Sequence, residues 1–250
     1  MELRIEGLYD HRTIQLLVND NQIKDLGMHF SPKSFNFLQH RQFFTILEKL
    51  SAGKYKFYFN FTGERLLVIS HLLQEFYDRL DKLDYISCEV YLEFEDSHTE
   101  VINELFVDLS PNILRQINGL YWHYRPDVHK LSEILNLSAA SGGHCPLTGL
   151  ILSYKDLEAM HEEDTLARFN QNFHAQLFSS GNSEAKIDIN QFRLGLKSSW
   201  GDDYFPSLFE WFDFDFISLL IDPTVEVCFR NVDLTKLGQE LGHFRQNSLL

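Results

Sequence analysis

Strand-like and helix-like stretches alternate along this chain from one end to the other, and that alternation limits most strongly what it can fold into. Elements in this order build a parallel sheet whose crossovers are helices. Leu3 to Gly7 reads as a first strand closed by Gly7, and Asp10 stands where it can cap a helix through Thr13 to Val18. Leu26 to Phe30 reads as a second strand, with a Ser31-Pro32-Lys33-Ser34 loop after it and an amphipathic helix over Gln42 to Leu50. Lys54 to Phe61, dense in Tyr and Phe, reads as a third strand, Glu64 to Leu80 as a long helix and Tyr85 to Leu92 as a fourth strand. Further strands are expected at Tyr121 to Tyr124, Glu133 to Leu137, Ala175 to Phe178 and Phe216 to Ile221, with a closing helix over Leu234 to Phe244.

Eight strands in this order point to a (β/α)8 barrel, with a doubly wound sheet as the rival. The 250 residues suit one such barrel, and the absence of a linker or composition break assigns residues 1–250 to one domain. The stretch from Asn182 to Ser207 is long for a simple connection, so a helix over Ile189 to Leu196 or a lid is expected there. In Glu210 to Phe216 aromatic and acidic residues alternate, as on the approach to a strand with one buried face; an exposed docking patch is the other reading. Tyr121-Trp122-His123-Tyr124 reads as a strand anchored by its Trp rather than as a stacking platform.

The formal net charge of −14 opposes a phosphate backbone, so no nucleic-acid partner is expected, although one basic pocket could still hold a small phosphorylated ligand. Cys88, Cys145 and Cys228 are scattered, which suggests a reducing, cytoplasmic setting. No apolar run has the length of a signal peptide or a membrane span, so no membrane association is expected. The eleven His form no HExxH pattern, and His144-Cys145 with His161 matches no common zinc spacing. Nucleotide-loop and nucleophile-elbow motifs are absent, and Gly142-Gly143 is too short a signal to stand for either.

Arg4-Ile5-Glu6-Gly7, Gly27-Met28-His29-Phe30 and Pro32-Lys33-Ser34-Phe35-Asn36 follow one another with the spacing of K-I-C-G, G-F-x-F and P-K-S-P-R. On these residues the chain resembles the phosphoribosylanthranilate isomerase family. The resemblance is clearest over 3–37. Weaker echoes cover 134–157, where Ile134-Leu135-Asn136 and Gly142-Gly143-His144 stand for L-L-D on a sixth strand and its glycine loop, and 216–244, where Asp222-Pro223-Thr224 replaces S-S-G.

The resemblance implies an Amadori rearrangement of a phosphorylated aminosugar, as in tryptophan biosynthesis, with no metal or organic cofactor. A general acid opens the sugar ring and a general base removes the proton from C2. The family's cysteine base is Glu6 here; a carboxylate can take a proton, and a related isomerase of histidine synthesis uses an acidic residue on its first strand. The alternative is that Glu6 only pairs with a cation inside the barrel. The family's aspartate acid corresponds to Asn136, which cannot donate a proton at neutral pH. Asn36 replaces the arginine that holds the substrate carboxylate, leaving Lys33 as the loop's cation. Ser180, Gly181 and Asn182 resemble the first phosphate loop, whereas Asp222 adds a negative charge and Pro223 removes an N–H from the second. Three functions follow: a divergent sugar-phosphate isomerase, monomer or homodimer, with a small phosphorylated substrate; a catalytically silent barrel, a pseudoenzyme kept as a binding or regulatory protein; or another enzyme on the same scaffold.

Overall fold

The computed structural model describes residues 1–95, 99–137, 145–179, 191–202 and 207–247. Eight strands close a barrel in chain order: β1 (Glu2–Glu6), β2 (Asp25–His29), β3 (Gly53–Phe61), β4 (Ile86–Phe94), β5 (Gly119–His123), β6 (Leu147–Ser153), β7 (Arg193–Ser199) and β8 (Phe216–Leu220). Every neighbouring pair is parallel, and β8 returns to β1 with Glu2 opposite Phe216 and Glu6 opposite Leu220. The expected (β/α)8 class therefore holds.

The first helix, His11–Gln15, starts where Asp10 accepts from the Thr13 amide at 3.0 Å, and it runs on as a π turn over Leu16–Asp20. Strand side chains alternate between the barrel interior and the surrounding helices. On the outward side, aromatic rings fill the layer between β2, β3 and the helices His40–Leu47 and Leu66–Leu80. Phe59 meets Phe30, Phe43 and Phe76 edge to face with centroids 5.2–5.3 Å apart.

Two strand expectations fail for the same reason. Glu133 to Leu137 lies at a short helix, Leu131–Leu135, and Ala175 to Phe178 lies within the helix Leu166–Ser179. Leu131, Ile134 and Leu135 are buried at helical spacing; Leu166, Phe169, Phe173 and Leu177 repeat every three or four residues and pack on the core. The sixth and seventh strands are instead Leu147–Ser153 and Arg193–Ser199. The helix expected over Ile189 to Leu196 thus gives way to β7, which occupies the middle of the stretch from Asn182 to Ser207. Phe212, Phe214 and Phe216 are buried while Trp211, Asp213 and Asp215 are exposed, as expected for the approach to β8.

Inside the barrel, three glycines admit large neighbours. A Cβ on Gly27 would stand 2.8 Å from Glu6 Cγ, one on Gly149 2.1 Å from the Arg193 carbonyl oxygen, and one on Gly195 2.2 Å from the Phe216 ring. Glu6 takes the space at Gly27, the Arg193 backbone and Tyr121 that at Gly149, and Phe216 that at Gly195, while Tyr58, Tyr121, Ile151 and Phe216 cluster together with the Arg4 guanidinium 3.8 Å from the Tyr58 ring centre. This layer is the floor of the mouth above it.

Candidate functional site

The C-terminal ends of the strands carry the polar side chains, where barrel enzymes place their chemistry. Glu6 ends β1 and His29 ends β2; Asn60 stands near the end of β3, Glu93 near the end of β4, and His123 ends β5. All five are buried. Lys197 on β7 and Glu95 just beyond β4 form a half-buried pair, with Lys197 Nζ 3.0 Å from each carboxylate oxygen.

Arg4 rises from the floor and pairs with both carboxylates: its Nη2 lies 3.4 Å from Glu6 Oε1 and also contacts Glu93 Oε2. Glu93 Oε1 faces His123 Nε2 and accepts from Asn60 Nδ2 at 3.3 Å. Glu6 Oε1 accepts from the Ser218 hydroxyl, while Glu6 Oε2 lies 3.5 Å from His29 Nε2. The His29 ring is oriented by Ser34 Oγ, 3.1 Å from its Nδ1. Glu6, Glu93 and His123 each bring one ligating atom within 4.8 Å of the others, so this trio is the one able to hold a metal ion among the described residues.

Burial by itself would push the Glu6 carboxyl up. The Arg4 guanidinium, the His29 ring, and the charges of Lys197 and His123 outweigh it and hold the group well below the usual carboxylate range. Glu95 is likewise opposed by burial, yet His123 and Lys197 draw it down to about 2. His123 is driven down to about 4 by burial, with Lys197 acting in the same direction and Glu95 and Glu6 against it. Near neutral pH the mouth therefore holds ionised Glu6 and Glu95 beside a neutral imidazole.

Among the described residues, Glu6 is the only one expected from the sequence that belongs to this cluster. Asn136, the expected acid position, is the exposed C-cap of the helix Leu131–Leu135, between β5 and β6 and on neither strand. The helical period of its neighbours takes it off the sheet. Glu133 pairs at the surface with Lys130.

Asn36 is buried, but its Nδ2 donates to the Ile221 carbonyl and ties the loop after β2 to the end of β8. Gly7, at φ +72°, makes room: a Cβ there would lie 2.3 Å from Asn36 Nδ2. Lys33 is exposed on the same loop. Asp222 accepts from both the Thr224 amide, at 2.8 Å, and the Thr224 hydroxyl, so the loop after β8 satisfies its own donors. Ser180, Gly181 and Asn182 lie outside the described residues, as do Gly142, Gly143 and His144.

His29, Glu93, His123 and Lys197 were not singled out from the sequence. Their signal is a polar residue two positions from another inward-facing one in an otherwise apolar strand, as in Tyr91-Leu92-Glu93-Phe94-Glu95 and Tyr121-Trp122-His123. A charge at such a position is costly unless it is paired or used.

Fold and site together define a (β/α)8 barrel with an ionised, buried mouth. Among solved structures it is similar to a monomeric form of the dimeric phosphoribosylanthranilate isomerase from Thermotoga maritima, with a TM-score of 0.54, 14% identity and coverage of 98% of this chain and 97% of that one. It is also similar to a phosphoribosylanthranilate isomerase in complex with reduced 1-(o-carboxyphenylamino)-1-deoxyribulose 5-phosphate, with a TM-score of 0.55, 13% identity and coverage of 98% and 99%. No family model and no curated protein matches the sequence. The likeness is one of fold along the whole chain. No helix among the described residues is long and apolar enough to cross a membrane.

Proposed function

We propose that the barrel is a divergent isomerase that rearranges a small aminosugar substrate by proton transfer at its C-terminal mouth, with Glu6 as the proton acceptor. The observation that carries this reading is the state of Glu6: a buried carboxylate at the end of β1, kept ionised by Arg4 from below. An ionised carboxylate can take a proton from a carbon next to a carbonyl or imine, and the partners that lower its proton affinity make Glu6 a weaker base than a free carboxylate. Asn136 has no part in this reading. Lys197, half-buried at the rim and held by Glu95, takes the donor's role at the sugar oxygen. Lys33 meets the substrate's carboxylate from the loop after β2. Binding of a substrate phosphate falls to Ser180, Gly181 and Asn182, because Asp222 already engages the Thr224 donors. The reading takes the chain as a cytoplasmic monomer or homodimer of the tryptophan-biosynthesis type.

The test is turnover of phosphoribosylanthranilate, followed by loss of fluorescence in the presence of a chelator. The expected outcome is measurable turnover that falls about 10²–10⁴-fold in Glu6→Gln. No turnover by the intact protein would sink the isomerase reading. The silent barrel would then stand first, favoured by the self-satisfied loop at Asp222 and by Asn36 being spent on the Ile221 carbonyl.

A further inference from the structure

Two buried carboxylates at the mouth face a single guanidinium. Arg4 contacts Glu6 Oε1 and Glu93 Oε2, while Lys197 pairs with Glu95 at the rim. Burying these acidic groups away from water is costly, which favours a bound cation beside them. Glu6 Oε2 and His29 Nε2 are both buried, 3.5 Å apart, and neither makes a hydrogen bond. Across the mouth, Glu93 Oε1 faces His123 Nε2.

We infer that a divalent transition-metal cation, zinc being the best fit, is held at the mouth by Glu6, Glu93 and His123, whose ligating atoms lie within 4.8 Å of one another, with His29, 3.5 Å from Glu6 Oε2, as the further donor. Two imidazoles and two carboxylates are a borderline donor set that suits zinc and favours it over magnesium or calcium. Donor atoms around one four-coordinate zinc stand about 3.3–3.5 Å from each other, and the Glu6–His29 separation of 3.5 Å already has this value. The supporting groups of a metal site are also in place. Ser34 orients His29, Asn60 donates to Glu93, Ser218 donates to Glu6, and Arg4 holds the far sides of both carboxylates.

The ligands come from β1, β2, β4 and β5, all on the rigid scaffold. A cation here departs from the cofactor-free chemistry that the family resemblance implies. It does not rest on the isomerase reading; under that reading, a ligated Glu6 cannot take a proton, so zinc inhibits.

The full chain, stripped with chelator and exchanged into chelator-free buffer, is titrated with zinc chloride against a chromogenic competitor, and separately with cobalt chloride for visible absorption. The expected result is one zinc per chain and intense cobalt bands of a four- or five-coordinate site. Ser34→Ala, which keeps all four ligands, weakens zinc about tenfold or more, and the double variant His29→Gln with His123→Gln loses stoichiometric uptake. Absence of uptake by the folded wild type overturns the inference. So does undiminished uptake by a folded double variant, which places the metal on surface histidines. Should that variant not fold, the wild-type cobalt spectrum decides, and a weak octahedral spectrum overturns it. Zinc uptake without turnover removes only the isomerase reading, and turnover without uptake removes only this one.

Discussion

At the C-terminal mouth, Arg4, Glu6 and Glu93 are each no more than 1% exposed. At the opposite end of the same barrel, Arg193 meets Glu2 at 2.6 Å with 24% and 49% of their side chains exposed. Lys56 completes the lower ring, 3.6 Å from Asp25 and 3.9 Å from Glu2. The two ends use the same ion-pair chemistry in different surroundings. Below, water screens the charges, and each pair adds little to stability. Above, the charges are shut away, so each depends on its partner and the set shifts the titration of Glu6, Glu95 and His123 downward. Stability alone does not call for the upper arrangement, since a buried ion pair is often no better than an apolar core.

The largest effect is expected from Arg4→Met. It leaves Glu6 and Glu93 buried without their cation and removes the guanidinium from the Tyr58 ring. Loss of about 3–5 kcal/mol in urea unfolding is expected. The matching change below, Arg193→Met, should cost about 1 kcal/mol or less. Equal losses at the two ends would break the comparison.

Acid should act on the mouth next most strongly. His123 falls in the folded state from an ordinary value near 6.5 to about 4, driven mainly by burial. Its neutral form is thus favoured by folding. The stability it contributes is present above pH 6.5 and is lost as pH falls toward 4, where the unfolded chain binds the extra proton. In chelated protein the expected loss over that interval is roughly 3 kcal/mol, and His123→Gln should flatten the pH profile there. A profile with the same slope in both proteins would place the acid sensitivity elsewhere.

Between the two ends, Gly195→Ala tests the layer that supports the mouth. The new Cβ would press on the face of the Phe216 ring, whose neighbours include Tyr121 at 5.5 Å between ring centres. A loss of about 1–3 kcal/mol is expected, read as a lower thermal midpoint. The ring that must give way also lies 5.5 Å from the Arg4 guanidinium, so zinc affinity should fall with stability.

Legibility in the sequence follows the same division. β1 and β2 were readable as short stretches closed by Gly7 and by the Ser31-Pro32-Lys33-Ser34 loop, β3 and β4 from their aromatic and β-branched residues, and β8 because Phe212, Phe214 and Phe216 alternate with charges. β6 was not, since Gly149 interrupts its apolar run to admit the Tyr121 ring and the Arg193 backbone, while the helical repeat around Ile134 offered a stronger apolar signal nearby. Glu6 was found by resemblance, but nothing local joins it to Glu93 and His123, 87 and 117 positions later; only closure of the barrel does that. Asn136 and Asn36 show the reverse error: residues matched by motif whose backbone positions put one on an exposed helix end and the other on a structural tie.

The smallest effect, and the sharpest control, belongs to Glu2→Gln. Glu2 binds Arg193 at 2.6 Å and lies 3.9 Å from Lys56, yet half of its side chain is in water. Arg193 keeps its place 5.2 Å from the Phe216 ring centre, and Lys56 keeps Asp25. Removing the Glu2 charge should cost about 0.2–1 kcal/mol at low salt and nearly nothing at high salt, because exposed pairs are screened. Glu6→Gln, four residues along the same strand, should show no such salt dependence, since its partners are buried with it. If salt erased both effects alike, the mouth would be as hydrated as the lower ring, and the argument for a protected ionised centre would fail.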